Sequence, residues 1–174
     1  MPMMYDINYY EKMLREYSST SESICKIRWD WISDANPKKV LDYGSGVGWF
    51  RAWRPEIVDV RSYDIAKYPQ TGIELAVYDV VCFWDSLEHI PDFRVVEPVL
   101  RLARNVAASL PMKIEMADFS TWKHFKPTEH LHYFTEETID ALLCRYGFKR
   151  KKIGQPECPP RKDITSVLYE KTNS

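Results

Sequence analysis

The sequence has no CxxC pair, no charge excess, no long apolar run and no internal repeat, and each absence removes a class of function. Its four cysteines, Cys25, Cys82, Cys144 and Cys158, lie far apart in 174 residues. Free thiols in a reducing cytoplasm explain them more simply than a disulfide framework or a zinc site. The formal net charge of -1 offers no general attraction to nucleic acid, although a local basic face would not show in that sum. The amino terminus, Met-Pro-Met-Met-Tyr-Asp, has no basic segment followed by an apolar core, so no export signal is expected. No apolar run approaches the roughly 20 residues of a membrane span. A hydrophobic content of 45% in a chain of this length is enough to bury one core. The expectation is a single cytoplasmic domain with no membrane partner.

What is present alternates between helix and strand. Tyr10, Met13, Leu14 and Tyr17 recur at helical spacing, and Ile24, Ile27 and Ile32 continue on a second segment. The cluster Ser18-Ser19-Thr20-Ser21 is expected to break the two helices and cap the second. Val40-Leu41 opens a first buried strand, a short helix covers Trp49 to about Trp53, and Ile57 to Tyr63 is a second strand ending at Asp64. Val77 to Trp84 reads as a central parallel strand. Pro91-Asp92 opens a helix through Val95, Val99, Leu100 and Leu102, with Pro98 in its first turn. Met112 to Met116 reads as a further strand. Thr135-Glu-Glu-Thr138 resembles a capping box, and Gly147 closes the helix that it opens. Phe148 to about Ile153 and Ile164 to Tyr169 close the chain, too near in sequence for a parallel crossover, hence antiparallel. Between them Pro156, Pro159, Pro160, Arg161 and Lys162 read as an exposed loop. The fold class is α/β, a Rossmann-like, mostly parallel sheet with an antiparallel carboxyl-terminal strand.

The chemistry concentrates at Lys39-Val-Leu-Asp-Tyr-Gly-Ser-Gly-Val-Gly48. An apolar run ends in Asp42, and glycines follow at every second position. Glycine permits positive φ and lets a ligand approach where a Cβ would block it. A strand feeding such a turn builds a pocket at the carboxyl edge of a parallel sheet. Trp49 and Phe50 stand where a dinucleotide fingerprint needs its third glycine, and the carboxylate of Asp42 repels phosphate but suits a cationic ligand. Asp64, at the end of the second strand, is placed either to accept ribose hydroxyls across the crevice or to cap a turn.

These residues resemble motif I of the class I S-adenosylmethionine-dependent methyltransferases. Two further segments are similar to the subgroup that includes the quinone-biosynthesis O-methyltransferases. One is Asp79-Val-Val-Cys-Phe-Trp-Asp-Ser-Leu-Glu-His-Ile-Pro-Asp92; the other is Trp122-Lys-His-Phe-Lys-Pro-Thr-Glu-His-Leu-His-Tyr-Phe-Thr135 with Ala141-Leu-Leu-Cys-Arg-Tyr-Gly-Phe148. The resemblance covers about residues 38 to 169. It implies S-adenosyl-L-methionine bound by Asp42, Tyr43, Gly44, Ser45, Gly46, Gly48, Asp64, Ile65, Trp84 and Asp85, with His89 and His130 assisting a small-molecule or sugar-like acceptor. A histidine with an ordinary pKa near 6.5 suits a base at neutral pH; the alternative is that Glu88 and His89 only fix their loop. Leu131 and Phe134 are expected in the core. Asp85, Glu88 and His89 repeat a spacing by which some quinone O-methyltransferases hold a divalent ion, and His124, His130 and His132 lie close together without a supporting cysteine. No metal ligand is assigned.

One departure stands out. Only 14 residues separate Asp64 from Asp79, where the family fits a helix, a third strand and another helix. The third edge strand is therefore expected to be missing, together with its adenine-binding acid. An exposed second strand then invites either a homodimer or a cap by residues 66–76. Residues 1–36 would form a helical lid on a methyltransferase domain of 37–174. The alternative function is a cofactor-binding scaffold or regulatory partner without catalysis. A nicotinamide-dependent oxidoreductase fits the glycine spacing poorly, and a nucleic-acid methyltransferase lacks an Asn-Pro-Pro-Tyr-type motif and a basic stripe.

Overall fold

The computed structural model describes residues 7–16, 18–65, 73–112 and 118–172. Helices α1 (Ile7–Glu16) and α2 (Ser18–Ile32) come first, and the second begins at the first residue of the serine cluster. The side chains of Ser18 to Thr20, and with them the expected cap, lie outside the described residues. Six strands follow: β1 (Lys39–Tyr43), β2 (Asp59–Tyr63), β3 (Tyr78–Trp84), β4 (Ala103–Pro111), β5 (Phe148–Gly154) and β6 (Ile164–Lys171). Between them run α3 (Trp49–Ala52), α4 (Glu97–Leu102) and α5 (Glu136–Cys144).

The strands form one sheet in the order β2-β1-β3-β4-β6-β5. The first four are parallel, and β6 runs antiparallel between β4 and β5. From β1 the chain goes outward to β2, then crosses back to β3 on the other side of β1. That reversal opens a crevice beyond the carboxyl ends of β1 and β3, where open α/β sheets take their ligands. Among the described residues β2 is the outermost strand, and no third edge strand lies beyond it.

Alternation along each strand sorts the side chains onto two faces. Val81 and Phe83 of β3 join Leu41 of β1, Val99 and Leu100 of α4, and Ile139 and Leu143 of α5 in one cluster. Val80, Cys82 and Trp84 join Cys25, Trp29 and Ile32 of α2 and Phe50 of α3 in the other. Trp29 stacks on Phe50 with ring centroids 4.2 Å apart and donates its indole N–H to the Phe50 carbonyl. Helix α2 is thereby built into the core.

Three expectations need correction. The strand expected at Met112–Met116 is β4, Ala103–Pro111; residues 113–117 lie outside the described residues. Its Ala-Arg-Asn-Val-Ala-Ala-Ser core lacks the β-branched run that marks strands. It succeeds because it is central, with Ala107, Ala108 and Ser109 fully buried between β3 and β6, where small side chains fit. The helix opened by Pro91-Asp92 is a 3-10 turn at Phe93–Val95 followed by the six-residue α4, whose carboxyl end passes straight into β4. Leu131, expected in the core, is 46% exposed, whereas Phe134 is buried. At α5 the structure agrees in detail: Thr135 Oγ1 accepts from the Thr138 N–H, and the Thr138 hydroxyl accepts from the Thr135 N–H.

Candidate active site

The glycine turn leaves β1 with three positive φ angles, but its glycines serve different ends. A Cβ on Gly44 would lie 2.4 Å from the Ser86 Cβ, so this glycine is demanded by packing. Ser86 is buried there and donates its hydroxyl to the Tyr43 carbonyl at 2.8 Å. Around Gly46 and Gly48 nothing lies within 4 Å of the added carbon. Those two leave a cradle open for a ligand. Tyr43 turns its ring into the core against Tyr63 and Phe83 and offers the crevice only its main chain. The N–H groups of Gly44 and Ser45 are both held by the Tyr63 carbonyl, tying the turn to the end of β2.

Two carboxylates flank the cradle. Asp42 is buried, and its Oδ2 has no hydrogen-bond partner. Burial raises its pKa to about 7; Arg28 nearby pulls it down and Asp64 pushes it up. A carboxylate in that condition gains from a cationic ligand. Asp64 receives the Gly46 N–H on Oδ2 at 2.8 Å and the Tyr10 hydroxyl on Oδ1 at 2.7 Å. Ile65, next in sequence, is 68% exposed on the open side of the crevice. A buried carboxylate without a partner, an open glycine turn and a second carboxylate at Asp64 can together take a ligand that carries a cation and hydroxyl groups.

On the far side of the crevice β3 ends at Trp84, which is buried and packed edge-on against Phe50, with its indole N–H unpartnered. The Arg28 guanidinium lies over this ring at 5.1 Å, a cation–π contact. Asp85 then takes a left-handed φ of 52°, one that aspartate tolerates better than most residues. Its carboxylate accepts from Arg28 Nη2 at 2.6 Å and from both terminal nitrogens of Arg161 at 2.9 and 2.6 Å. Those cations, Arg28 first, hold it below the usual carboxylate range in spite of its burial. Glu157, fully buried, accepts from Arg28 Nε at 2.8 Å and Arg161 Nη1 at 2.7 Å. The proline-bounded loop is therefore not simply exposed. Its two charges, Glu157 and Arg161, close a four-member network with Arg28 of α2 and with Asp85 at the end of β3.

The two histidine segments meet beside this network. The N–H groups of Leu131 and His132 both donate to the Glu88 carbonyl, at 2.9 and 3.1 Å, which ties one segment to the other. His89 and His130 come together edge to face, with centroids 4.8 Å apart. His89 Nδ1 donates to the Glu129 carbonyl at 2.8 Å, leaving the lone pair of the neutral ring on Nε2. Burial lowers the pKa of both histidines, and burial, helped by Asp85, raises that of Glu88. His130 Nδ1 and Glu88 Oε2 are buried without partners. By contrast His132 is spent on the Ile90 carbonyl at 2.8 Å, and His124 on the Asp163 carboxylate.

The structure thus brings together the glycine turn, Asp42, Asp64, Trp84 and Asp85 on one side, and Glu88, His89 and His130 on the other. Sequence reasoning missed Arg28, Tyr10, Ser86, Glu157 and Arg161. Arg28 had a visible signal: it interrupts the apolar stripe Ile24, Cys25, Trp29, Ile32 of α2, where a charge needs a buried partner. Glu157 had none, since its partners are far away in sequence.

Comparison with known proteins bears out the family and the fold. A family model described as a methyltransferase domain matches residues 18–151. No curated protein matches the sequence. Among solved structures, magnesium protoporphyrin IX methyltransferase from Synechocystis PCC 6803 with bound SAH is similar at TM-score 0.68 and 17% identity, over 97% of this chain and 96% of that one. The 1,6-didemethyltoxoflavin-N1-methyltransferase of Burkholderia thailandensis, with S-adenosylhomocysteine, is similar at TM-score 0.65 and 15% identity, over 96% and 85%. A Nostoc punctiforme O-methyltransferase candidate is similar at TM-score 0.61 and 14% identity; this chain is covered over 94% but spans only 59% of that protein. At these identities the likeness is one of fold.

Proposed function

This chain belongs to the methyltransferase-domain family of class I, S-adenosylmethionine-dependent enzymes, and from that premise we propose that it methylates an oxygen or nitrogen of a small-molecule or sugar-like acceptor. The observation that carries the reading is the unpartnered, buried Asp42 carboxylate beside an open cradle at Gly46 and Gly48. Asp42 would hold the ammonium of the cofactor, the turn from Tyr43 to Gly48 its chain, and Asp64 beside Ile65 its ribose. The main chain of Trp84 and Asp85 would line the methionine end. Arg28, held through Nε and Nη2 on Glu157 and Asp85, would offer its remaining N–H groups to the cofactor's carboxylate.

The cofactor supplies an electrophilic methyl group, and the chain supplies position. Holding donor and acceptor in attacking geometry accounts for most of the rate such a site needs. At the acceptor end His89 Nε2 or His130 takes the one proton that leaves the acceptor. Helix α1 serves as a lid, with Tyr10 as its latch on Asp64. The edge of β2 would pair with a second copy, which a dimer mass in light scattering supports and a monomer refutes; most of the alternative cap, residues 66–72, lies outside the described residues. Four unbridged cysteines suit a cytoplasmic protein; no helix among the described residues is long and apolar enough to cross a membrane.

Calorimetric titration with S-adenosylmethionine and S-adenosylhomocysteine, alongside Asp64→Ala, tests the cofactor half. Micromolar binding lost in the variant supports it. Labelled methyl transfer to a panel of hydroxylated and amine acceptors tests the rest. A second reading, a scaffold without catalysis, is favoured by Tyr10 engaging Asp64 and by the want of an adenine strand among the described residues. No binding at millimolar cofactor would put it first.

A further inference from the structure

We propose that Glu88, His89 and His130 form a site for one divalent transition-metal ion of the zinc type, at the acceptor end of the crevice. The donors would be a Glu88 carboxylate oxygen, Nε2 of His89 and Nδ1 of His130.

Three kinds of observation carry this. The first is convergence: one ligand atom from each residue lies within 4.8 Å of the others. A tetrahedral zinc site needs about 3.3 Å between donors, so small side-chain rotations close the set. The second is want of partners. Glu88 Oε2 and His130 Nδ1 are buried in residues only 2% and 7% exposed, and neither has a hydrogen-bond partner. Two unsatisfied polar atoms in neighbouring buried side chains are unusual in a folded core, and a cation between those residues would satisfy both at once. The third is orientation. The Glu129 carbonyl fixes the His89 tautomer from behind, which is the outer-shell support that metal-bound imidazoles ordinarily have. The main-chain bonds from Leu131 and His132 to Glu88 hold the two donor segments together without the ion.

The same geometry decides the donor set. The acid-x-x-acid-His spacing would put Asp85 first among the ligands, but both its oxygens are committed to Arg28 and Arg161. His124 and His132 are committed as well. Two imidazoles and one carboxylate favour zinc and its first-row neighbours over magnesium, which prefers oxygen ligands throughout. Three protein donors leave a fourth position for an acceptor oxygen, whose proton the ion would help release to solvent. With the ion bound, His89 and His130 act as ligands and not as bases. What the ion does there rests on the methyl-transfer reading. Its binding does not, because it is read with metal alone.

The test uses the full chain, stripped with chelator, with the exposed thiols removed by Cys144→Ser and Cys158→Ser. Cobalt(II) is titrated and followed by its visible absorption, then displaced with zinc. The expected result is one equivalent per chain at micromolar affinity or better, weakened about tenfold or more by Glu88→Gln and by His130→Gln separately. Unchanged urea midpoints for the metal-free variants show that the loss is local. If either variant misfolds, the other carries the test. Absence of stoichiometric binding at submillimolar cobalt or zinc, or equal binding by folded variants, overturns the proposal and leaves His89 or His130 as the proton acceptor.

Discussion

Tyr10 places its hydroxyl 2.7 Å from Asp64 Oδ1, across a sequence separation of 54 residues. It thereby occupies the carboxylate that a ribose would use. A charge-assisted hydrogen bond of this kind contributes about 1.5 kcal/mol or more. Cofactor must displace it, so Tyr10→Phe is expected to tighten S-adenosylhomocysteine binding by about tenfold or more, measured by calorimetry. Weaker binding in the variant would mean that Tyr10 helps to hold the cofactor instead of competing with it.

Asp42 gives the site a pH dependence of definite sign. Burial raises its pKa to about 7, against ~3.9 in an unfolded chain. The folded protein keeps a proton that the unfolded chain has released. This group's contribution to stability is thus full below about pH 4 and is lost as pH rises to 7. Asp42→Asn, which does not titrate, should gain on the wild type over that window, by about 2–4 kcal/mol at pH 8. Urea midpoints at pH 4 and pH 8 check it. Cofactor binding runs the other way: the ammonium needs the ionised carboxylate, so affinity rises through pH 7 in the wild type and stays low and flat in the variant.

The glycine turn separates packing from binding. Gly44→Ala drives a Cβ to 2.4 Å from Ser86 at a φ of +76°, and is expected to cost about 3 kcal/mol or more. Gly46→Ala meets open space at a φ of +52° and should cost only about 1 kcal/mol. It nonetheless fills the cradle, so cofactor affinity should fall sharply. Thermal melts paired with calorimetry distinguish the two; equal loss of stability in both would refute the division of roles.

How much of this could be read from the sequence depends on the range of the interactions. The glycine turn and the capping box at Thr135 and Thr138 are local, and each appears where its residues predict it, whereas Gly147 takes its left-handed φ three residues beyond the end of α5, not at its C′ position. The meeting of the His89 and His130 segments was legible only through resemblance, since the main-chain bonds to Glu88 span more than forty positions. Strand β4 was hidden because Ala107 and Ala108 fit a crowded interior that propensity does not see. The Arg28–Asp85–Arg161–Glu157 network draws on α2, β3 and the β5–β6 loop. Only the interruption of an apolar stripe by Arg28 hinted at it.

That network supplies the last prediction. Glu157 has no exposed side-chain surface and faces two guanidinium groups. Removing it leaves Arg28, with an 11% exposed side chain, short of half its anionic partners. Breaking a buried pair from one side costs about 3–5 kcal/mol, so Glu157→Ala is expected to lower the unfolding free energy from urea titration by that much. Glu157→Gln keeps the hydrogen-bond acceptor and loses the charge, and should fall between. The effect should not stop at stability. With Glu157 gone, Arg28 and Arg161 both turn to Asp85, and the end of β3 shifts against the cradle. Cofactor affinity should therefore drop in Glu157→Ala even under conditions where the protein remains folded, as circular dichroism and calorimetry on the same sample would establish. Full affinity in a folded Glu157→Ala would show that the network holds the loop alone and leaves the cofactor side untouched.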